Sequence, residues 1–427
     1  MLKAGVSSLD VTPPLGTHMR GYFEERTAST VHDPLYVRSF ALENDGNAVA
    51  VAVCDIIGID RKYLDQAKAR ISETTGLQPN QVIISCTHTH TGPLTGDDPY
   101  TEWLWGRIAD GVRIAWQARE EAQIGWARAT EDRLVFNRRY RMKDGTVQTN
   151  PGVNNPDVVE PAGPTDPEVG VMVLRRTTGQ TLGLLGNYAL HYVGIPDDFT
   201  AFSADYYGFF SSMVQRLRGE GFVAALSNGA SGDINNWDVL GHANPRNDRY
   251  QHCERAGALV AANAFWAWNE ADFVAEVPLA GALAEVTLSP RPPAGPEDLA
   301  KAQDIEERLA AGKPVLMGER SFRNRVRRFE QQPPTARTSI VQALRVGDLA
   351  LVGVPGEFFV ELGLEIKRRS PFAQTMILEL ANDCVGYIPT RRAFKEGAYE
   401  PNSSPYEPGF GEAIVDSAVG LLEGLRA

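Results

Sequence analysis

The sequence predicts an α/β fold: a mixed, largely buried central sheet flanked by helices, with a helical excursion near residues 291–334. Three observations carry that prediction. Short apolar runs at 48–54, 81–84 and 222–226 are too brief for helices and apolar on both faces, as buried strands are. Amphipathic stretches at 61–75 and 205–218 separate such runs, and a strand–helix–strand order implies parallel pairing. Residues 291–334 change character, from the turn Arg291-Pro292-Pro293-Ala294-Gly295-Pro296 into two charged helical patterns at 296–311 and 318–331.

Taken in order, Asp10-Val11-Thr12-Pro13-Pro14 and His32-Asp33-Pro34-Leu35 are turns. Strands at 36–43 and 48–54 flank the hairpin signal Asp45-Gly46. Asp55 lies just beyond the second strand, a usual station for a functional carboxylate. The helix at 61–75 stops at Gly76, and a tryptophan-rich amphipathic helix is expected over 99–122. Strands at 123–130 and 168–175 bracket an insert, 137–166, thick with Asn, Pro, Gly and Asp. A strand at 182–190 delivers His191, and a helix at 205–218 and a strand at 222–226 follow. After a helix at 247–268 and strands between 277 and 288, a hairpin is expected at 339–345 and 349–354 around Gly347-Asp348. Pro355-Gly356-Glu357 opens a helix at 358–369, and the last core strand covers 376–380. No internal repeat is visible in the sequence.

Composition narrows the classes of function. The 427 residues are 43% hydrophobic and 22% charged, the balance of a globular protein. A net charge of −12 argues against a nucleic-acid partner. No apolar run reaches the ~18 residues that a membrane span requires. The N-terminal segment has no apolar core of a signal peptide, so a cytoplasmic location is expected. Four scattered cysteines with no C-x-x-C pair predict reduced, buried thiols.

Chemistry concentrates in Thr87-His88-Thr89-His90-Thr91-Gly92-Pro93, directly after the strand at 81–84. His88 and His90 are two residues apart, so in extended backbone they point the same way. Other metal-ligating types recur beyond strand ends: His191, Glu357 and Tyr387. In an α/β sheet such groups meet in one crevice. Two histidines, a carboxylate and a phenol oxygen suit zinc with a position left for water. Each residue also has a structural reading. Glu357 could complement a helix dipole, His191 could be a satisfied core histidine, and Tyr387 a loop aromatic. The glycines of Ser227-Asn228-Gly229-Ala230-Ser231-Gly232-Asp233 lack a phosphate-loop lysine, which leaves a tight loop bringing Asp233 to a site.

The blocks Val11-Thr12-Pro13-Pro14, His32-Asp33-Pro34-Leu35, T-H-T-H-T-G-P at 87–93, Ser231-Gly232-Asp233-Ile234-Asn235, Pro355-Gly356-Glu357 and Gly386-Tyr387 occur in that order through nearly the whole chain. Together they resemble the catalytic domain of the neutral/alkaline (non-lysosomal) ceramidase family, zinc amidases that cut the N-acyl bond of ceramide. The resemblance implies His88, His191, Glu357 and Tyr387 as metal ligands, with His90 contacting substrate or supporting the ligands. It implies that Arg138, in an Asn137-Arg138 pair, lies near the substrate. Two departures separate this chain from the family. A serine implicated in catalysis is replaced by Asn235. The family's secretion signal and C-terminal immunoglobulin-like domain are not expected here, so residues 1–427 are read as one catalytic domain with a helical insert at 291–334.

The expected activity is zinc-dependent hydrolysis of an amide in a small soluble acyl compound rather than ceramide, with attack by water. His90 or Asp233 would handle the proton, and Arg138 or Asn235 would stabilise the oxyanion or hold a substrate carboxylate. A zinc-dependent esterase or lactonase is the competing enzyme, and a ligand-binding homologue without turnover is the non-enzymatic alternative. No nucleic acid or membrane span is expected, and a homo-oligomer is open.

Overall fold

The computed structural model describes residues 1–194, 199–219, 221–241 and 249–427. Its first half is organised around β1 (Lys3–Asp10), β2 (Tyr36–Asn44), β3 (Asn47–Cys54), β4 (Val82–Cys86), β5 (Glu120–Thr130), β6 (Glu168–Arg176), β7 (Thr181–Tyr188) and β8 (Val223–Asn228). These form one eight-stranded sheet in the order β8-β7-β6-β5-β1-β2-β3-β4. Only the outermost pairs, β7/β8 and β3/β4, are parallel. Those are the pairs joined through helices, α3 (Asp205–Arg218) and α1 (Arg61–Thr75), because a parallel neighbour needs a crossover.

The expected mixed, buried central sheet is this eight-stranded one, and a second sheet that the sequence did not separate from it lies alongside. β9 (Leu279–Leu288), β10 (Arg337–Val346), β11 (Leu349–Gly353) and β12 (Gln374–Leu378) make a separate four-stranded sheet, in that order. Its inner face, with Leu344, Leu351, Met376 and Leu378, packs on Phe40, Val51, Met172 and Leu185 of the first sheet. A sheet apolar on both faces must be covered on both, and here the second sheet covers one of them. On the other, α1 and α2 (Pro99–Gln117) bury Leu64, Ile71, Leu104 and Ile108. There α3 and α4 (Arg249–Asn269) bury Phe210, Val214, Ala256 and Val260. Outside the second sheet, α7 (Val360–Arg369) and α8 (Phe410–Arg426) bury Leu362, Ile366, Ile414 and Ala418.

Local signals set most boundaries. Asp98 caps α2 by accepting from Tyr100 N and Thr101 N, with Pro99 at the first helical position. The predicted helix over 99–122 stops earlier, at Gln117, because Ala122 and Ile124 are required by the core between the sheets. The excursion forms α5 (Pro296–Ala310) and α6 (Met317–Gln331), which bury Ala302, Ile305, Phe322 and Val326 against each other. Among the described residues no helix is long and apolar enough to cross a membrane.

One topology recurs without a sequence repeat. A hairpin, a helix and a strand parallel to the hairpin's second strand appear as β2-β3-α1-β4, as β6-β7-α3-β8 and as β10-β11-α7-β12. The candidate site lies where the ends of these three units approach one another.

Candidate functional site

The first unit supplies the paired histidines, but not on extended backbone. Thr87 N donates to Cys54 O at 2.9 Å and His88 N to Ile56 O at 3.0 Å. His88 itself is left-handed, with φ +69°, a conformation unfavourable for a side chain with Cβ. The chain therefore turns between the histidines, yet their ring centroids still lie 4.9 Å apart. Asp205, at the start of α3, fastens this loop from the second unit. Its carboxylate accepts from His90 N at 2.8 Å and from the hydroxyls of Thr89 and Thr91, each at 2.9 Å. Burial pushes the Asp205 pKa up to about 6 against these stabilising donors. Gly21 closes the other side: a Cβ there would lie 2.6 Å from the His90 Cα.

The second unit delivers His191 just beyond β7, and the third delivers Glu357 beyond β11. His88 Nδ1 donates to Ile57 O at 2.8 Å, which leaves the Nε2 lone pair turned to Glu357 Oε2 at 3.5 Å. His191 Nδ1 is 3.8 Å from the same oxygen. The Nε2 atoms of His90 and His191 are 3.1 Å apart. One atom from each of the three imidazoles falls within a common 4.8 Å, a group that could hold a metal ion. Both His191 Nδ1 and Glu357 Oε2 are buried without a hydrogen-bond partner. Orphaned polar atoms are costly unless something else satisfies them, and a cation facing all of them would do so.

Glu357 is held by its backbone. The short strand Glu357–Phe358 runs parallel to Tyr387–Ile388, with Glu357 opposite Tyr387. Gly232 packs on it so closely that a Cβ would lie 2.3 Å from Glu357 O. Behind it, the buried Glu379 accepts from Phe358 N, Asn228 Nδ2 and both the N and Oγ of Ser231. Burial pushes the Glu379 pKa up to about 8.

Electrostatics favour the metal-binding protonation states of His90, His191 and Glu357, whereas Glu357 holds a proton on His88 that a cation would have to displace. Burial drives His90 and His191 well below the ordinary imidazole range, so both stay neutral. Burial, the largest influence on His88, acts in the same direction, but Glu357 outweighs it and the pKa is raised. For Glu357, burial opposes charge, yet His88, Arg138 and the Tyr387 hydroxyl together hold its pKa below the usual value. Neutral rings and a charged carboxylate are the forms that bind a cation.

These groups line a cavity of ≈ 460 Å³ together with Arg20, Tyr22, Phe23, Asn150 and Tyr399. A second chamber of ≈ 400 Å³ shares Arg20, Ile57, His88 and Glu357 with it. A larger cavity, ≈ 890 Å³, is lined by Pro13, Tyr100 and Trp103 and contains none of the predicted site residues.

The structure brings His88, His90, His191, Glu357 and Arg138 to one cavity wall, with Tyr387 directly behind Glu357. Arg138 Nε donates to Glu400 Oε1 at 2.7 Å, and its guanidinium lies 5.2 Å from the centre of the Tyr387 ring. Asp233 and Asn235 are not on that wall. Asp233 uses Oδ1 to accept from Val360 N and Oδ2 to accept from Asn137 Nδ2, so it ties the loop to α7. Asn235 donates to Asn150 Oδ1 at 2.8 Å and stands behind the lining. Sequence reasoning missed Asp205, Glu379, Tyr22 and Tyr399. For Asp205 the signal was available, as an acidic residue at a helix start; its partners lie more than a hundred positions away.

The comparisons with known proteins bear on this arrangement. No family model matches the chain. Neutral ceramidase of Pseudomonas aeruginosa is 23% identical over 99% of this chain and 72% of its own length. A solved structure titled "Ceramidase complexed with C2" superposes with a TM-score of 0.79 at 18% identity, covering 100% of this chain and 75% of that one. The crystal structure of neutral ceramidase from P. aeruginosa gives 0.76 at 19% identity, covering 99% and 75%. The resemblance read from the sequence blocks is thus met from two sides: the chain is similar in sequence to neutral ceramidase over nearly its whole length and has the fold of the ceramidase structures.

Proposed function

We propose that the chain is a zinc-dependent hydrolase that cleaves the N-acyl bond of a small soluble amide. One observation carries the reading: His191 Nδ1 and Glu357 Oε2 are buried on the wall of a cavity without a hydrogen-bond partner, and His88 Nε2 faces the same carboxylate oxygen at 3.5 Å. The donor set, imidazole nitrogen with carboxylate oxygen and the Tyr387 phenol beside it, is that of zinc. Zinc bound there would supply Lewis acidity and lower the pKa of a coordinated water. Homology to a ceramidase supports an amide over an ester as the scissile bond.

The chain's own residues have separable parts. His90 Nε2 and His191 Nε2, 3.1 Å apart, share one hydrogen; in the tautomer that carries it on His191, the Nδ1 of His191 is left free for a cation. Arg138 stays charged beside the cavity and is the group for a developing oxyanion. Asp233 and Asn235, both engaged elsewhere, serve by holding the lining in place. In the net reaction the acyl carbon gains the water oxygen as its C–N bond breaks. The nitrogen takes a proton, and a carboxylate and an amine leave.

Metal analysis of the purified protein with hydrolysis of paired amide and ester substrates tests the proposal. Stoichiometric zinc and amide turnover that chelation abolishes and zinc restores are the expected results. Turnover indifferent to chelation would overturn the metal, and cleavage confined to esters would move the assignment to an esterase or lactonase. Zinc bound with no turnover on any acyl compound would leave a binding protein.

A further inference from the structure

The second chamber carries two arginines that form no ion pair among the described residues. Arg20 precedes Gly21, the residue that closes over His90, and Arg328 lies on α6 of the helical excursion. Both side chains are exposed, and both line the ≈ 400 Å³ chamber that contains His88 and Glu357. Among the described residues neither guanidinium has a hydrogen bond or an ion pair. Their neighbours on the excursion are paired. The chain carries a net charge of −12, and the adjacent Arg327 is paired with Glu306 and Glu330. On the same α5/α6 pair, Arg308 is held by Asp304 and Glu319. Asp60 is the other acidic residue on the chamber wall besides Glu357, and it forms no ion pair with either arginine.

Position gives the pair a meaning. The backbone of Arg20 is fixed, its N–H donating to Gly92 O at 3.1 Å and its carbonyl accepting from Arg26 Nη2 at 2.8 Å. Its Cα is therefore held next to the histidine loop, and the side chain projects from that fixed point. Guanidinium groups suit carboxylates because their donors match both oxygens. The first chamber shares Arg20 and also touches Arg138, Thr149 and Asn150, but it alone adds Tyr22, Phe23, Val193, Met317 and Tyr399, apolar and aromatic side chains suited to an acyl group, whereas Arg328 lines the second chamber and not the first. His88 and Glu357, shared by both chambers, stand where the two halves of a substrate would join.

We propose that the substrate is an acyl amide whose amine half carries a carboxylate, held by Arg20 and Arg328, as in an N-acyl amino acid. This rests on the amide-hydrolase reading above and adds the chemical class of the leaving amine. The excursion then takes part in specificity through Arg328.

The test compares an N-acyl amino acid with its uncharged carboxamide, which differs only in the group the arginines would hold. The wild-type enzyme should prefer the acid by about tenfold or more in kcat/KM, the scale of one charge-assisted contact. That preference should shrink toward equality in Arg20→Gln, in Arg328→Gln and at high salt, chiefly through KM. Arg328→Lys should keep part of it. Equal turnover of acid and carboxamide by the wild type, or an unchanged ratio in both glutamine variants, would overturn the subsite. If neither amide is cleaved, the hydrolase reading has failed, and calorimetry with the N-acyl amino acid decides the subsite alone. Binding weakened in the double glutamine variant supports it; binding that is absent, or equal in both proteins, removes it.

Discussion

Asp55 and Glu357 occupy the same station in two copies of one topological unit, each just past the strand that precedes a crossover helix. Both carboxylates are held in the interior, and they differ in who supplies the countercharge. Asp55 Oδ2 accepts from Arg38 Nη1 at 2.7 Å and from Tyr36 N at 2.9 Å, both from β2 of its own unit. Glu357 has no lysine or arginine at ion-pair distance among the described residues; its near neighbours are His88 and His191, from the other two units. A strand-end carboxylate is thus a structural group when its own hairpin satisfies it. It becomes available for chemistry when only a convergence of units can satisfy it.

The largest effects should separate these two residues. His191→Ala removes a ring that Glu357 faces. It should lower metal affinity by more than the roughly 10–100-fold typical of an outer partner, and abolish amide turnover with it. Glu357→Gln should do the same, since an uncharged amide is a poor ligand for zinc. Full zinc retention in His191→Ala, measured by metal analysis, would detach His191 from the site. Asp55→Asn should act on stability instead. Breaking a buried pair strands the Arg38 charge, at a cost of about 3–5 kcal/mol in chemical denaturation, while the folded fraction keeps its zinc. Loss of zinc from folded Asp55→Asn protein would erase the distinction drawn between the two stations.

This comparison also shows what the sequence discloses and what it withholds. His88, His191, Glu357 and Tyr387 could be found because strand ends can be read from short apolar runs. Asp55 met the same criterion as Glu357, and the criterion could not tell them apart. The deciding fact is the cross-strand position of Arg38, opposite Val53 in the β2/β3 register. The second sheet was hidden for a similar reason. A run such as Leu349–Gly353 is apolar on both faces whether its neighbour is β3 or β10, so pattern alone cannot assign it to a sheet. Asp205 and Arg20 take their roles from partners and cavities far along the chain, which no local pattern encodes.

Buried lysines extend the same contrast to the crossover helices. Lys68 on α1 is satisfied only by neutral groups, Gln342 Oε1 at 2.9 Å and Pro79 O at 3.3 Å, and burial lowers its pKa to about 7. For Lys367 on α7, burial pulls the same way, but Asp166 at 2.7 Å and Glu168 at 3.0 Å outweigh it and its pKa is raised. The signs follow from linkage. The unfolded chain protonates Lys68 near its ordinary ~10.4, so between there and about 7 the native state binds fewer protons and loses stability as pH falls. Lys367 contributes stability that is complete below its unfolded pKa and lost as pH rises through its higher native one. Stability measured at pH 7 should therefore rise or hold in Lys68→Met, with a flatter slope between pH 7 and 10. In Lys367→Met it should fall by about 1–3 kcal/mol, as two carboxylates lose their cation. Parallel behaviour of the two variants across that range would show that partner charge does not govern these sites.

The smallest effect concerns the excursion, the region whose relation to the three repeated units is least fixed by pairing. α6 begins at Met317, and that side chain lines the chamber assigned to the acyl group, while Leu316 beside it is 53% exposed. A flexible thioether fills irregular apolar space without specifying a shape. Met317→Ala should leave zinc binding and the fold intact, because Met317 lies outside the Ala302, Ile305, Phe322 and Val326 core that joins α5 to α6. Removing its contact should weaken binding of longer acyl chains by about fourfold in KM, the value of one buried methylene group. Short acyl groups that do not reach it should be hydrolysed as before. A KM increase independent of acyl length would instead point to a displaced α6, and Arg328, on the same helix, would then lose its selectivity for the acid in parallel. Measuring chain-length dependence and acid preference on this one variant therefore distinguishes a local contact from movement of the whole element.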